Sequence, residues 1–371
     1  MRLCHLSDSH LGAGENHPRR GASGLTLRQE DIINSFRLAV NGIIELRPDV
    51  CIHSGDLFDK VRPLNSIMAV AGRELFRLAE EAGIPTVLIT GNHDAPKQPH
   101  VGAAIDVFRQ IDNLYVASAG ELEIFEIANA KFFALPHCLS ASQLKEQVSR
   151  CQPDPQARYN ILILHGVAAG MPEFSMADLG EQELPLEMME RFDYTALGHY
   201  HNFSKVADRA YYAGSTERLS QAERGVTKGF LEIRLSPFNV ALHEVPCREV
   251  VDIKSFSAAG LRGDQLIVRI RDELDRIQAT DKIVRVNVSD MTPETMKTLP
   301  GALIGELKES AFDLNLRFEK APDQGSDRQF GRAAVGRLDS SFAEYLESVE
   351  LKGLDRARLL EAALRYLRAE D

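Results

Sequence analysis

The chain has 371 residues, 44% of them hydrophobic and 26% charged, with a formal net charge of −11; that is the composition of a globular protein of two or three domains and excludes collagen-like, low-complexity and disordered classes. No apolar run approaches the ~20 residues that cross a bilayer, Asp8 and His10 interrupt any N-terminal signal core, and five scattered cysteines without a CxxC pair read as reduced thiols of a cytoplasmic protein. The acidic balance argues against a surface that grips nucleic acid everywhere by charge alone, so any nucleic-acid contact must be local, shared with a partner, or both.

Strands are expected at 2–7, 49–53, 85–90 and 114–118, with helices over 30–47 and 66–82. Strands separated by long helices read as parallel crossovers. Further strands follow at 122–127, 131–135, 160–164, 194–197, 211–213, 229–235 and 240–245, the later ones at hairpin spacing, with helices at 142–151 and 184–192. This mixture predicts an α/β fold: a large mixed or two-layered sheet flanked by helices. From about residue 251 the texture changes. A helix (262–279), a strand (282–288), a helix (300–310) and a strand (313–318) read as a small separate α+β domain. Residues 321–337, rich in Gly, Asp and Gln, read as a linker, and 338–371 as two helices with apolar stripes.

Five short motifs each follow an expected strand: Asp8-Ser9-His10, Gly55-Asp56-Leu57-Phe58-Asp59, Gly91-Asn92-His93-Asp94, His165-Gly166 and Gly198-His199-Tyr200-His201. In α/β sheets, ligands sit where loops leave the carboxyl ends of strands, so these side chains can meet at one rim. Asp, Asn and His are the mixed oxygen and nitrogen donors of a transition-metal site. Seven such donors exceed the needs of one ion; two ions sharing a carboxylate, roughly 3.5–4 Å apart, fit better. Residues i and i+2 of an extended strand end project to one side, so Asp8 with His10, and His199 with His201, are expected to reach one ion together. Glycine before Asp56, Asn92 and His199 is expected to turn the chain sharply without Cβ crowding. Taken singly the motifs have ordinary readings, DxH as a surface pair and GD as a turn. The ordered set of five carries the chemistry.

This set resembles the calcineurin-like metallophosphoesterase superfamily, and its detail resembles the SbcD-like DNA double-strand-break repair nucleases. The second motif continues to Arg62-Pro63, Tyr212-Ala213-Gly214-Ser215-Thr216-Glu217-Arg218 follows the last histidine motif, and Lys228-Gly229-Phe230 leads through a hairpin to Val251-Asp252-Ile253. The resemblance covers residues 1 to about 255; the remainder matches by position. It implies a four-layered αββα sandwich (1–250), a small α+β capping domain that helps bind DNA (251–320), the linker (321–337), and C-terminal helices (338–371) that dock an SbcC-like coiled-coil ATPase. It also implies a manganese-dependent nuclease, a homodimer acting on DNA in double-strand-break repair, in which a two-metal-activated water attacks the phosphodiester. Carried over by motif, Asp8, His10, Asp56 and His201 would hold one ion and Asp56, Asn92, His165 and His199 the other, with Asp56 bridging. His93 would donate to the scissile phosphate or leaving oxygen, oriented by Asp94. Asp59 departs from the histidine that archaeal and eukaryotic relatives usually carry to help position DNA. The motifs also allow a phosphatase or cyclic-nucleotide phosphodiesterase on the same core. A metal-free scaffold is a third class, and the complete ligand set argues against it.

Around the motifs, Arg19 and Arg20 in the glycine-rich loop 12–28, and Asp59, Lys60 and Arg62 beside the second motif, are candidate substrate contacts; the ordinary reading is a solvated loop. His5 and His53 read as core histidines, and His137 as an outer-shell candidate near the site.

Overall fold

Short β-branched runs alternating with amphipathic stretches fold, in the computed structural model, into two six-stranded mixed sheets and a smaller three-stranded one. The structure describes residues 1–98, 101–170 and 183–321. The chain divides into two units after Lys320, so the expected linker and partner-docking helices lie, from residue 322 on, outside the described residues. Among the described residues no helix is long and apolar enough to cross a membrane.

Strands β1 (Arg2–Leu6), β2 (Val50–His53), β3 (Thr86–Ile89) and β4 (Leu114–Ala117) run parallel in the first sheet. Then come β5 (Glu123–Ile127), β6 (Ala130–Leu135), β7 (Asn160–His165), the two-residue strands β8 (Val167–Ala168) and β9 (Glu183–Leu184), β10 (Tyr194–Gly198), β11 (Ser204–Ala207) and β12 (Ala210–Tyr212). Apart from the β8–β9 pair, these build the second sheet in the order β11-β12-β10-β7-β6-β5. The hairpin of β13 (Gly229–Leu235) and β14 (Phe238–Glu244) returns to the first sheet and pairs antiparallel with β1.

Alternation along each strand divides the core into layers. Leu3, Ile52, Val87 and Ile89 of the first sheet pack against Phe132, Ile161, Ile163 and Ala196 of the second. The other face of the first sheet (Cys4, Leu6, Leu88) packs on α1 (Leu27–Leu46) and α2 (Asn65–Phe76) through Ile32, Phe36, Val40, Ile67 and Leu75. The other face of the second packs on α3 (Ala141–Arg150) and the one-turn α4 (Leu186–Met189) through Leu144, Met188 and Met189. The layers run helix, sheet, sheet, helix. Local chemistry agrees with this layout in α1: Thr26 caps it, its side chain accepting from Gln29 N–H while Gln29 returns to the Thr26 amide. Ile32, Phe36, Val40 and Ile43 then recur on one buried face, and burying each stabilises by about 1.5–3 kcal/mol.

The expected helix at 184–192 shrinks to α4. Asp193 is already exchanging hydrogen bonds with Asn160 to start β10 (Asn160 N–H to Asp193 Oδ2, 2.8 Å; Asp193 N–H to Asn160 carbonyl, 2.9 Å). The third sheet has one more strand than its sequence suggests. β15 (Val250–Ser257) is followed by α5 (Gly263–Arg276), β16 (Ile283–Met291), α6 (Pro293–Lys297), α7 (Gly301–Glu309) and β17 (Asp313–Lys320). The three strands are parallel, in chain order. A register shift between Ile253 and Phe256 breaks the two-residue period of β15, which hides it in the sequence. Ile253, Leu266, Ile270, Val284, Val286 and Leu307 give this part its own core. Arg248 joins it to α1 by a two-pronged bond to Asp31 (2.7 and 2.7 Å) and lies 3.4 Å from the centre of the Phe312 ring.

Candidate metal centre

Loops leaving the carboxyl ends of β1, β2 and β3 in one sheet, and the ends of β7 and β10 in the other, bring the seven expected donors together. Asp8, His10 and His201 offer ligand atoms within 4.8 Å of one another, as do Asp8, Asp56 and His165. Asn92 Oδ1 lies 3.0 Å from His165 Nε2 and 3.3 Å from His199 Nδ1. Asp56 Oδ2 stands between the two groups, 3.5 Å from His10 Nε2 and 3.3 Å from His165 Nε2.

The backbone reaches this arrangement by a route other than the expected one. β1 ends at Leu6, and Asp8, His10 and Asp56 have left-handed φ values of 49°, 42° and 52°, with His199 at 118°. Extended i, i+2 geometry therefore does not pair Asp8 with His10; two left-handed residues do, and the expected pairing of His199 with His201 fails, His201 joining Asp8 and His10 while His199 faces Asn92. Left-handed residues cost about 1–3 kcal/mol each and persist where their surroundings over-determine them. Here the first two motif loops are spliced together: Asp8 N–H donates to the Gly55 carbonyl (3.1 Å) and His10 N–H to that of Asp56 (3.0 Å). Gly55 does turn, with φ 101°. The need for Gly91 is close approach instead: a Cβ there would stand 2.2 Å from Asp56 Oδ1.

Three of the histidines are held by their Nδ1 atoms. His165 Nδ1 donates to the Ser54 carbonyl (2.9 Å), His10 Nδ1 to the Asp59 carboxylate (3.3 Å) and His201 Nδ1 to Glu223 (3.2 Å). Each bond fixes a ring and leaves Nε2 as the atom that could ligate, the outer support that metal-binding histidines have. His10 Nε2 is buried without a hydrogen-bond partner, a lone pair that a cation would satisfy. The donor set and this orphaned atom fit divalent ions. Burial disfavours charge on His165, but Asp56 and then Asp8 outweigh it and raise its pKa to about 10. Burial likewise opposes charge on His10, and Asp59, Asp56 and Asp8 overcome it upward. Asp56 stays ionised against its own burial, well below the usual carboxylate range, because His165 and His10 flank it.

His93 is exposed at the rim, its N–H on Asp56 Oδ1 (2.9 Å) and its Nδ1 on the Asp59 carbonyl (3.2 Å). It also shares a group of ligand-distance atoms with His10 and Asp56. The expected orientation of His93 by Asp94 is corrected. Asp94 is fully buried and accepts from the N–H groups of Gly91 (2.8 Å) and Phe58 (3.3 Å), tying the third motif loop to the second. Burial, reinforced by Asp56, pushes its pKa up to about 7. Asp59 holds both rings instead, His93 by its carbonyl and His10 by its carboxylate. Glu223 lies between β12 and β13 in a loop that matches no donor motif, so no sequence signal marks it.

The candidate substrate contacts separate. Arg19 spends its donors on the carbonyls of Ala311 (2.9 Å) and Phe312, joining its loop to the segment before the last strand of the small sheet. Lys60 pairs with Glu15, and Arg20, exposed, donates to the Gly24 carbonyl (2.8 Å). Arg62 is exposed. Asp59, Lys60 and Arg28 line a cleft of about 540 Å³ that extends to Val250, Ile283 and Asn315 of the small sheet. His5 and His53 are core residues: His5 bridges the Tyr194 hydroxyl and Ser54 Oγ (both 2.8 Å), and His53 Nε2 meets Ser9 Oγ (2.9 Å). His137 is half-buried; burial and then the charge of His165 lower its pKa to about 4.

Residues 1–203 match the calcineurin-like phosphoesterase family. The chain is similar to the DNA double-strand break repair protein Mre11 of Sulfurisphaera tokodaii, 31% identical over 203 residues, or 54% of this chain and 49% of that protein. It is similar to the protein of the same name from Methanocaldococcus jannaschii (27% over 283 residues, 70% of this chain and 72% of the relative). A third relative, from Methanopyrus kandleri, is 26% identical over 381 residues (96% of this chain and 77% of the relative). The match to the first of these spans about half the relative's length.

Proposed function

The chain belongs to the calcineurin-like phosphoesterase family, and from that premise we propose that it hydrolyses DNA phosphodiester bonds with two divalent cations, manganese being the pair expected. The observation that carries this is the position of Asp56 between two sets of oxygen and nitrogen donors. The names of the relatives, DNA double-strand break repair proteins, support DNA as the substrate and repair as the setting. Asp8, His10, Asp56 and His201 would hold one cation, and Asp56, Asn92, His165 and His199 the other. Bound there, the pair would supply Lewis acidity toward the phosphate and lower the pKa of a water.

The protein's own groups do the rest. Asp59, the Ser54 carbonyl and Glu223 keep three imidazoles in the ligating tautomer. With Nδ1–H on the Asp59 carbonyl, the Nε2 edge of the His93 ring is left to face the leaving oxygen. The cleft between Asp59 and the small sheet would admit the strand, with residues 251–320 acting as the cap and Lys60, Arg20 and Arg62 near the phosphates. The cysteines, none of them in a disulfide, accord with a reducing cytoplasm. A homodimer, and an SbcC-like coiled-coil ATPase docked on 338–371, complete the reading. Deleting 338–371 is expected to leave hydrolysis of bis-(p-nitrophenyl) phosphate unchanged and to abolish co-purification with the ATPase; persistent co-purification would move the docking surface elsewhere.

The substrate class is tested by comparing linear duplex DNA, bis-(p-nitrophenyl) phosphate and a phosphomonoester in manganese buffer. Cleavage of DNA and the diester is expected; turnover of the small esters alone would favour a phosphatase. Cation binding also has a pH signature. His165, raised to about 10, is protonated at neutral pH and must lose that proton to ligate. Below its pKa the proton competes with the cation. Affinity is therefore expected to tighten as pH rises from neutrality toward about 10, by up to about tenfold per pH unit for one proton. Calorimetric manganese titrations in two buffers of different ionisation enthalpy measure the release; zero release at neutral pH would contradict a charged His165.

A further inference from the structure

Between β12 and β13 lies a buried charge pair of which the reaction described so far uses only the glutamate's contact to His201. Glu223 is 5% exposed and Lys228 1%. Glu223 Oε2 accepts from Lys228 Nζ (2.6 Å) and Leu219 N–H (3.1 Å), while Oε1 accepts from Ser220 Oγ (3.0 Å) and His201 Nδ1 (3.2 Å). Lys228 Nζ donates as well to the His201 carbonyl (2.6 Å) and Ser215 Oγ (2.9 Å). His201 is gripped twice, through its backbone by the lysine and through its ring by the glutamate.

A buried ion pair is weak grounds for stability, since apolar side chains of like volume serve as well or better. This one is fully satisfied, and its one bond outside its own loop and the lysine clamp goes to a single imidazole. We infer that Glu223, held by Lys228, is a positioning residue: it fixes His201 as the Nδ1–H tautomer, keeps Nε2 for the group formed with Asp8 and His10, and so sets the affinity of the cation on that side. The inference rests on the two-cation reading above.

Glutamine at this position separates positioning from mere packing. Lys228 and Leu219 both need an oxygen, so the amide oxygen goes to them and the NH2 group faces His201 Nδ1. That contact stabilises the opposite tautomer, with a proton on Nε2, which cannot ligate. The side chain is nearly isosteric and the loop stays packed. Arg224→Ala is the control, because that neighbouring side chain pairs with Asp252 of β15 instead.

The experiment is manganese titration by calorimetry on the full chain, wild type against Glu223→Gln and Arg224→Ala, with thermal melts of each metal-free protein. Wild type is expected to bind two ions. In Glu223→Gln one of the two should weaken roughly 10–100-fold, the range for loss of an outer-shell partner, with the other ion and the melt little changed; Arg224→Ala should match wild type. If Glu223→Gln fails to fold, the double variant Glu223→Leu with Lys228→Met replaces the pair by apolar side chains and should show the same loss at one ion. Two ions bound as in wild type by a folded variant would overturn the role of Glu223 and leave the metal centre standing. Equal weakening in Arg224→Ala would reduce Glu223 to loop packing and overturn it too. No cation bound by wild type would end both readings.

Discussion

Asp56→Ala is expected to lose both cations together and, with them, phosphodiester hydrolysis to the detection limit, a fall on the order of 10⁶-fold or more in kcat/KM, the low end of what an enzyme contributes. The reason is placement. Asp56 Oδ2 lies within 3.5 Å of both His10 Nε2 and His165 Nε2, and Oδ1 receives the His93 amide. It is the carboxylate shared by the two donor sets, and its charge is a chief cause of the raised pKa of His165. Removing it also breaks a buried charge pair, so the metal-free variant should melt lower, by about 3–5 kcal/mol in stability. Elemental analysis after gel filtration in manganese buffer reads the first effect directly. Two ions retained per chain would break the bridging role of Asp56.

His93→Ala is expected to lower kcat by about 10²–10⁴-fold, the usual contribution of a positioned acid or base, with KM and both cations nearly unchanged. Its ring is exposed and anchored to the Asp59 carbonyl, so truncation removes only an edge contact with the His10 ring and leaves the Asp59 carboxylate holding His10. The competing role is visible in the geometry, because His93 lies at ligand distance from His10 and Asp56. Loss of a cation in His93→Ala would make it a ligand. An unchanged rate with both cations bound would leave it no part in the chemistry.

Much of the centre was legible because metal ligation restricts residue type and because parallel strands deliver their loops to one rim. Asp8, His10, Asp56, Asn92, His165, His199 and His201 could therefore be grouped from motifs after strands, and they do converge. How they converge was not legible. Left-handed φ at Asp8 and His10 is imposed by hydrogen bonds to Gly55 and Asp56, nearly fifty residues away, and no local pattern records that. Neighbours in sequence also misled. Asp94 adjoins His93 yet turns to backbone amides, while Asp59 holds the ring. Glu223 reaches His201 from a loop that carries no donor motif, so only the fold reveals the pair. Arg19 was placed by charge, but its guanidinium is drawn to carbonyls that end α7's turn into β17. β15 was missed for a comparable reason, since its register shift spoils the alternation by which a strand is read.

Anomalous diffraction at the manganese edge, from crystals of the full chain grown with the cation, tests the centre most directly. Two peaks sharing the Asp56 carboxylate are predicted, one beside Asp8, His10 and His201, the other beside Asn92, His165 and His199. A single peak, or peaks away from Asp56, would contradict it.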